Sequence, residues 1–206
     1  MLKVWGRTNS INVQKVLWAL DELGVPYERV EAGMAFGVVN EPFYKKMNPN
    51  SRVPTIDDDG FVLWESNAIV RYLAAKHGAG SLWPNDLRQR ADSDRWMDWV
   101  AAHVNPAIGP VFWGLIRTPA EKRNMEQIKA GAEATAQQFQ VLEQGLEGRD
   151  YVAGKTFSMG DIPVGVFLYR WRALDVERPR LPRIDDYYQR LTQRSAFQKH
   201  IMKPLT

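Results

Sequence analysis

The chain has 206 residues, of which 45% are hydrophobic and 25% are charged, and 8 of them are tryptophans. This is the composition of a globular protein with a substantial core, and it argues against a disordered chain. The net charge of +3 arises from 27 basic and 24 acidic residues that are interspersed along the chain, so we expect no nucleic-acid partner.

The absence of cysteine excludes several kinds of chemistry. Without a thiol there is no disulfide, no thiolate zinc site and no cysteine nucleophile. His77, His103 and His200 are scattered, so we expect no metal site. The first residues lack an apolar segment of signal-peptide length, and no run of about 18 apolar residues occurs anywhere, so we expect a cytoplasmic protein without a membrane partner.

The first part of the chain alternates between strand and helix patterns. An apolar run at Leu2–Trp5 predicts a strand, and apolar residues at helical spacing over 13–23 predict the helix that follows. Gly24 and Pro26 end that helix. The segment Tyr27–Val30 then resumes as a strand, which we expect to pair in parallel with the first one.

The rest of this domain is predicted as a short helix, a hairpin and a longer helix. The short helix lies over 42–47, and two antiparallel strands lie over 53–56 and 61–64. Ser66 is predicted to cap the helix that follows. The resulting order, βαβαββα, defines an α/β domain over residues 1–78.

Strand patterns disappear after a predicted linker at 79–87. Helical patterns cover the segments 88–117, 121–147, 160–174 and 184–203. We therefore expect an all-helical domain over 88–206, which makes the fold class α/β plus all-α.

Three segments of the first domain carry candidate functional residues. Ser10 precedes the first helix, where free N–H groups and the helix dipole favour negative charge, or it serves only as an N-cap. Val53-Pro54 opens a strand, and a cis bond there turns the Val53 backbone towards an extended, peptide-like ligand, whereas a trans bond makes it an ordinary strand start. Glu65 and Ser66, at a strand-to-helix junction, fit the ammonium and carboxylate of an amino acid, or form only a helix cap.

The order and spacing of these segments resemble the cytosolic glutathione transferase family over essentially the whole chain. Val53-Pro54 is similar to the family's cis-proline step, and Glu65-Ser66 is similar to its motif for the γ-glutamyl end of glutathione. The resemblance implies a thioredoxin-like first domain, glutathione as a co-substrate and a homodimer.

A further motif of the family has its counterpart in the helical domain. The segment 158–161, Ser-Met-Gly-Asp, resembles the family's capping box. In such a box Ser158 caps the helix and Asp161 reaches back to it, which is a structural role.

Two residues are candidates for activating the thiol of glutathione. Ser10 lies where theta-like and delta-like members have a catalytic serine. Ser10-Ile11-Asn12 is also similar to a bacterial Nu-like pattern with threonine and asparagine at those two places, so Asn12 is the second candidate. The beta, omega and zeta classes are less similar, because a cysteine is usual at their sites.

The resemblance implies roles for other residues of the glutathione site. Arg52 matches a basic position that binds the glycine carboxylate, and the Val53 backbone pairs with the cysteinyl unit. Glu65 and Ser66 hold the γ-glutamyl head group. Asp94 corresponds to an acidic residue that reaches the ligand from the partner subunit.

The electrophile is expected against the helix that follows the linker. His103, Phe112 and Trp113 lie on that segment as candidate contacts. The alternative is that the two aromatic residues belong to a core or an interface and that His103 is structural.

Three functions fit this pattern. The first is transfer of glutathione to hydrophobic electrophiles. The second is the Nu-like reduction of disulfides or peroxides, which uses two glutathione molecules and needs no enzyme cysteine. The third is non-catalytic glutathione binding, because a fold alone does not fix a function.

Overall fold

The sheet of the first unit has four strands. The structure is a computed structural model that describes the whole chain, residues 1–206, and the first unit comprises residues 1–83. The strands are β1 (Leu2–Trp5), β2 (Tyr27–Val30), β3 (Thr55–Asp58) and β4 (Phe61–Trp64), in the spatial order β2-β1-β3-β4. β1 is parallel to β2 and antiparallel to β3, which forms a hairpin with β4. The predicted parallel pair and hairpin are confirmed, although β3 begins two residues late, because Pro54 has no N–H to give to the ladder.

Three helices complete this unit. They are α1 (Ile11–Glu22), α2 (Pro42–Met47) and α3 (Ser66–His77), with one 3₁₀ turn at Met34–Phe36. Buried apolar side chains of β1, β3, α1 and α3 form one core cluster, which includes Val4, Leu17, Ile56 and Leu73. The predicted thioredoxin-like order βαβαββα is thereby confirmed.

The second unit, residues 84–206, is all-helical, as predicted. Its helices are α4 (Leu87–Trp99), α5 (Asn105–Phe112), α6 (Met125–Gly145), α7 (Asp161–Ala173), α8 (Pro182–Thr192) and α9 (Ser195–His200). None of the helices combines the length and the apolar character that a membrane crossing requires.

One long helical segment runs from α4 through α5. Wide π turns at Val100–Val104 and Trp113–Arg117 extend α4 and α5, so the backbone is helical from residue 87 to residue 117. The sequence predicted a single helix over nearly this range. Pro106 has no N–H to close an α-helical turn on Ala102, and the first wide turn accommodates this.

The prediction of a single helix over 184–203 is wrong in one respect, because the structure has two helices in this range. α8 ends at Thr192, and Arg194 has an extended backbone (φ −83°, ψ 123°) before α9 begins. The side chain of Gln198 donates a hydrogen bond of 2.7 Å to the carbonyl of Thr192. This contact satisfies a carbonyl group that the end of α8 leaves without an intrahelical partner.

The motif at 158–161 surrounds a fully buried carboxylate, that of Asp161. Asp161 accepts hydrogen bonds from the N–H of Val152 (3.0 Å), the N–H of Ser158 (2.8 Å) and the hydroxyl of Tyr187 (2.9 Å). Asp161 thus reaches back to the N–H of Ser158, as expected. The predicted cap by Ser158 is wrong, because its hydroxyl contacts the Asp161 carboxylate and the hydroxyl of Ser93 and bonds no N–H of α7. The N–H of Gly160 donates to Ser93 Oγ instead, at 3.3 Å.

Candidate active site

The strand register gathers the three predicted site segments at one end of the sheet. Thr55 of β3 is paired with Trp5, the last residue of β1, and with Trp64, the last residue of β4. The loop after β1, the residues before β3 and the residues after β4 therefore meet at the same end. This topology explains why segments more than 40 residues apart in the chain contribute to one site.

The loop after β1 is fixed in place before it reaches Ser10. The N–H of Gly6 bonds the carbonyl of Val30 at 2.9 Å, and the Arg29 guanidinium bonds the carbonyl of Gly6 at 2.9 Å. A Cβ on Gly6 would lie well inside van der Waals contact of Val13 in α1. The chain can therefore pass this close to α1 only with glycine at position 6.

Ser10 occupies the N-cap position of α1 without acting as a cap. Its backbone is extended (φ −87°, ψ 120°), and its side chain makes no capping hydrogen bond and has no other partner within the protein. The side chain is 7% exposed. Ser10 is thus the N-cap residue by position only, and its hydroxyl remains able to donate to a ligand at the helix N-terminus.

Asn12 is held by a buried lysine that the sequence analysis missed. The Asn12 Oδ1 accepts hydrogen bonds from Lys15 Nζ at 3.0 Å and from Ser66 Oγ at 3.3 Å, while its Nδ2 has no partner within the protein. Lys15 is only 4% exposed, and its Nζ also contacts Ser66 Oγ at 3.3 Å and Asn67 Oδ1 at 3.4 Å. The one local sign of this role is that a lysine stands three residues after Asn12 and directly before the apolar residues Val16 and Leu17 of the same helix.

Glu65, and not Ser66, is the N-cap residue of α3. Its backbone lies in the left-handed region (φ 72°, ψ 110°), which is unfavourable for a residue with a side chain and is typical of functional sites. The predicted Ser66 cap is wrong by one position, because Ser66 is already helical and uses its hydroxyl for Asn12 and Lys15. The Glu65 carboxylate is exposed and has no partner within the protein.

The Val53-Pro54 peptide bond, which the local sequence left open, is cis, as the family resemblance implied. The segment before it is anchored through the carbonyl of Arg52, which accepts hydrogen bonds from Tyr44 Oη at 2.7 Å and Asn48 Nδ2 at 2.9 Å. The N–H and carbonyl of Val53 have no partner within the protein, and neither has the exposed guanidinium of Arg52. The N–H and carbonyl of Val53 and the guanidinium of Arg52 are thus available to hydrogen-bond a peptide-like ligand, on a segment that is fixed in place.

The remaining predicted site residues lie on the long helical segment of the second unit. Asp94 is half-buried on α4, and His103 is exposed in the first wide turn. Phe112 is 6% exposed, with the Arg170 guanidinium 3.8 Å from its ring centroid, whereas Trp113 is 58% exposed. His103 and Trp113 are separated by about 15 Å along the helix axis, at roughly 1.5 Å per residue.

Two family models match this chain. The glutathione S-transferase N-terminal domain matches residues 1–75, and the glutathione S-transferase C-terminal domain matches residues 125–190. The chain belongs to the glutathione S-transferase family. The family predicted from the site segments is therefore confirmed, and the βαβαββα unit and the helical unit of this transferase are its two characteristic parts.

The similarity of this glutathione S-transferase to known members extends over its full length. It is 39% identical to the glutathione S-transferase GstB of Escherichia coli K12, over 100% of both chains. It is 28% identical to glutathione S-transferase D6 of Drosophila melanogaster, over 91% of this chain and 86% of that one. The crystal structure of the theta class glutathione S-transferase of Xanthomonas axonopodis pv. citri with glutathione bound is 43% identical, with a TM-score of 0.95 over 100% of this chain and 99% of that chain.

Proposed function

We propose that this transferase binds glutathione at the end of the first unit's sheet and stabilises its thiol as a thiolate, which attacks a hydrophobic electrophile. The observation that carries the proposal is a set of polar groups without protein partners at one end of the sheet. They are the Ser10 hydroxyl, the Asn12 amide nitrogen, the Arg52 guanidinium, the Val53 backbone and the Glu65 carboxylate.

These groups match the parts of glutathione one by one. The N–H and carbonyl of Val53 pair with the cysteinyl unit, in the manner of an added strand. Arg52 binds the glycine carboxylate, and Glu65 binds the ammonium of the γ-glutamyl unit. The free N–H groups at the start of α3, together with Ser66, bind the γ-glutamyl carboxylate.

Thiol activation is assigned to Ser10 and Asn12, at the N-terminus of α1. A free thiol titrates near ~8.5, so only about 3% of it is thiolate at pH 7. A hydrogen-bond donor aimed at the sulfur, together with the positive end of the helix dipole, stabilises the charged form. Lowering the thiol pKa by ~2 units corresponds to about 2.7 kcal/mol and makes thiolate the majority form at neutral pH.

The electrophile is assigned to the exposed side of the long helical segment in the second unit. Trp113 offers a large apolar surface there, and His103 is an exposed polar group of the same segment. Phe112 supports Trp113 from the core through an edge-to-face contact with ring centroids 6.4 Å apart. Binding both reactants lowers the entropic part of the barrier.

The deciding experiment measures the ultraviolet absorbance of bound glutathione thiolate against pH for the wild type, Ser10→Ala and Asn12→Ala. We expect a lowered thiol pKa in the wild type, and a loss of that shift in the variant that lacks the activating donor. Turnover with a chlorinated nitroaromatic then tests transfer. Glutathione that binds but remains a thiol would refute activation and favour the non-catalytic alternative.

Reduction of disulfides or peroxides is the second candidate function. It is favoured by the free amide nitrogen of Asn12 beside Ser10, which is the Nu-like pair, and by the absence of any cysteine, which leaves two glutathione molecules as the thiols of such a reaction. A coupled assay with hydroxyethyl disulfide tests it. Inactivity in that assay, alongside turnover of the nitroaromatic, eliminates this candidate.

A further inference from the structure

Lys15 is a buried cation placed between the two helix N-termini of the proposed site. Its side chain leaves α1 within the core and is 4% exposed. The Nζ lies 3.0 Å from Asn12 Oδ1, 3.3 Å from Ser66 Oγ and 3.4 Å from Asn67 Oδ1. A single ammonium group thus joins the start of α1 to the first turn of α3.

The contact with Asn12 determines which end of the Asn12 amide faces outward. An ammonium group only donates hydrogen bonds, so the amide atom next to it must be the oxygen. The hydroxyl of Ser66 also donates to this oxygen, at 3.3 Å. Once that hydroxyl donates to a carboxylate instead, Lys15 alone holds the orientation. The two N–H bonds of Asn12 Nδ2 are therefore directed away from Lys15, and they remain available to a sulfur atom.

The contacts with Ser66 and Asn67 place the same charge behind the first turn of α3. A carboxylate hydrogen-bonded to Ser66 lies roughly 6 Å from Nζ, since two successive hydrogen bonds of about 3 Å separate them. The oxygen atoms of Asn12, Ser66 and Asn67 that Nζ contacts belong to neutral side chains. At this position the ammonium adds a positive charge to the dipole and free N–H groups of the helix.

We propose that Lys15 is a positioning residue for glutathione. It orients the Asn12 amide nitrogen towards the sulfur, and its buried charge strengthens the binding of the γ-glutamyl carboxylate. This inference rests on the proposed glutathione site. A side chain that does not touch the ligand thus contributes to the recognition of that carboxylate, beside the N–H groups of α3 and Ser66.

The test compares Lys15→Met, which keeps the length of the side chain but removes charge and donors, with the wild type. Isothermal titration measures the affinity for glutathione and for an analogue whose γ-glutamyl carboxylate is a carboxamide, and ultraviolet absorbance measures the pKa of the bound thiol. We expect Lys15→Met to weaken glutathione about tenfold or more and to raise the bound thiol pKa. For the carboxamide analogue the same substitution should weaken binding far less.

Lys76→Met is the matched control. Lys76 is a lysine of α3 that pairs with Asp58, and it is 43% exposed. Its substitution should leave glutathione affinity and thiol pKa unchanged. Lys15→Arg, which restores a buried cation with donors, should recover part of the discrimination between carboxylate and carboxamide.

The outcomes separate this inference from the proposed function. Two results with a folded Lys15→Met variant would overturn the inference and leave glutathione activation standing. In the first, the affinity for glutathione and the thiol pKa stay at wild-type values. In the second, the affinities for glutathione and for the carboxamide analogue fall equally and the thiol pKa does not change. If the wild type itself does not lower the thiol pKa, the proposed function fails first. If Lys15→Met does not fold, the ¹⁵N resonance of Lys15 Nζ in the wild type decides, because it should move with glutathione and not with the carboxamide analogue, and equal shifts overturn the inference.

Discussion

Glu65 offers the most direct test of ligand binding at the scale of a single residue. Its left-handed backbone holds an exposed carboxylate without a protein partner, so Glu65→Gln removes the charge and retains the shape. We expect the KM for glutathione to rise about tenfold or more, because a charge-assisted hydrogen bond is lost. The kcat at saturating glutathione should change little.

A glutathione analogue that lacks the α-amino group provides the control for Glu65→Gln. This analogue has no ammonium to bind, so the wild type and the variant should use it equally well. An equal loss with both ligands would show that Glu65 acts on the backbone of the site and not on the ammonium.

Removal of the buried Asp161 carboxylate should lower the stability of the second unit strongly. Asp161→Ala leaves the buried donors of Val152, Ser158 and Tyr187 without their acceptor. We expect the free energy of unfolding to fall by about 3–5 kcal/mol, measured by urea denaturation. Tyr187→Phe removes one donor and leaves the acceptor with the others, so it should cost only about 1 kcal/mol. Equal losses would contradict this account.

The same carboxyl group should make stability depend on pH. Burial raises the pKa of Asp161 from 3.8 to about 6, although hydrogen bonds from Val152, Ser158 and Tyr187 oppose the shift. The folded state therefore holds this proton more tightly than the unfolded state. Its contribution to stability is fully present below about pH 4 and is lost as the pH rises through about 6, a change of about 3 kcal/mol.

Urea denaturation between pH 4 and pH 7 measures this dependence, with Asp161→Asn as the reference because its side chain does not titrate. The difference in stability between the wild type and the variant should shift against the wild type as the pH rises. Parallel curves would show that Asp161 has the same pKa in the folded and unfolded states.

At the scale of secondary structure elements, the packing of the β1–α1 loop on α1 depends on Gly6. A Cβ at this position overlaps Val13, so Gly6→Ala must displace the loop that carries Ser10. We expect a loss of about 1–3 kcal/mol in stability from overpacking, together with weaker glutathione binding. Adding Val13→Ala should restore part of the binding, because it removes the clash.

Gly109→Ala is the control for the substitution at Gly6. Gly109 lies in α5, and a Cβ there meets no atom within 4 Å. Alanine is favoured over glycine inside a helix by about 0.5–1 kcal/mol, but its Cβ is disfavoured directly before Pro110 in a helical backbone, so we expect stability to change by less than about 1 kcal/mol. A loss from Gly109→Ala as large as that from Gly6→Ala would show that close approach is not the cause.

Most of these elements follow from local patterns in the sequence. The period of apolar residues locates α1, α6 and α7, and the alternation of strand and helix patterns gives the order βαβαββα along the chain, the parallel pair and the hairpin. The pairing of β1 with β3 was not predicted. The break between α8 and α9 has no proline or glycine to mark it and depends on contacts such as that of Gln198 with Thr192. The capping of Gly160 by Ser93, 67 residues earlier, is likewise invisible to a local pattern.

The residues of the candidate site likewise fall into those that the local sequence indicates and one that only tertiary packing shows. Ser10, Val53-Pro54 and Glu65-Ser66 stand at junctions of elements, where the local sequence already indicates free backbone groups. Lys15 was missed because its partners on α3 lie 51 and 52 residues away along the chain. Only the packing of α1 against α3 shows that this lysine belongs to the site.

At the scale of the whole molecule, we expect a homodimer in which Asp94 of one subunit reaches the glutathione bound by the other. Light scattering should then give twice the chain mass of 23.6 kDa. Asp94→Asn should weaken glutathione binding, whereas Asp98→Asn, one turn later on α4, should not. A monomer at micromolar concentration would remove the role of Asp94 in the partner's site.

Mixing two variants distinguishes action across the dimer from action within one subunit. A heterodimer of Asp94→Asn subunits and subunits that lack the activating donor (Ser10→Ala if Ser10 is that donor, otherwise Asn12→Ala) contains one intact site if Asp94 acts on the partner. In that case the Asp94→Asn subunit keeps the donor and receives Asp94 from the other subunit. The same heterodimer contains no intact site if Asp94 acts within its own subunit. After random exchange about half of the dimers are mixed, so action across the dimer should restore wild-type glutathione affinity and thiol pKa at about a quarter of the sites. If the mixed dimers do not recover glutathione affinity and thiol pKa, Asp94 does not act in the partner's site. That result would not affect the role proposed for Lys15, because its contact with Asn12 lies within one chain.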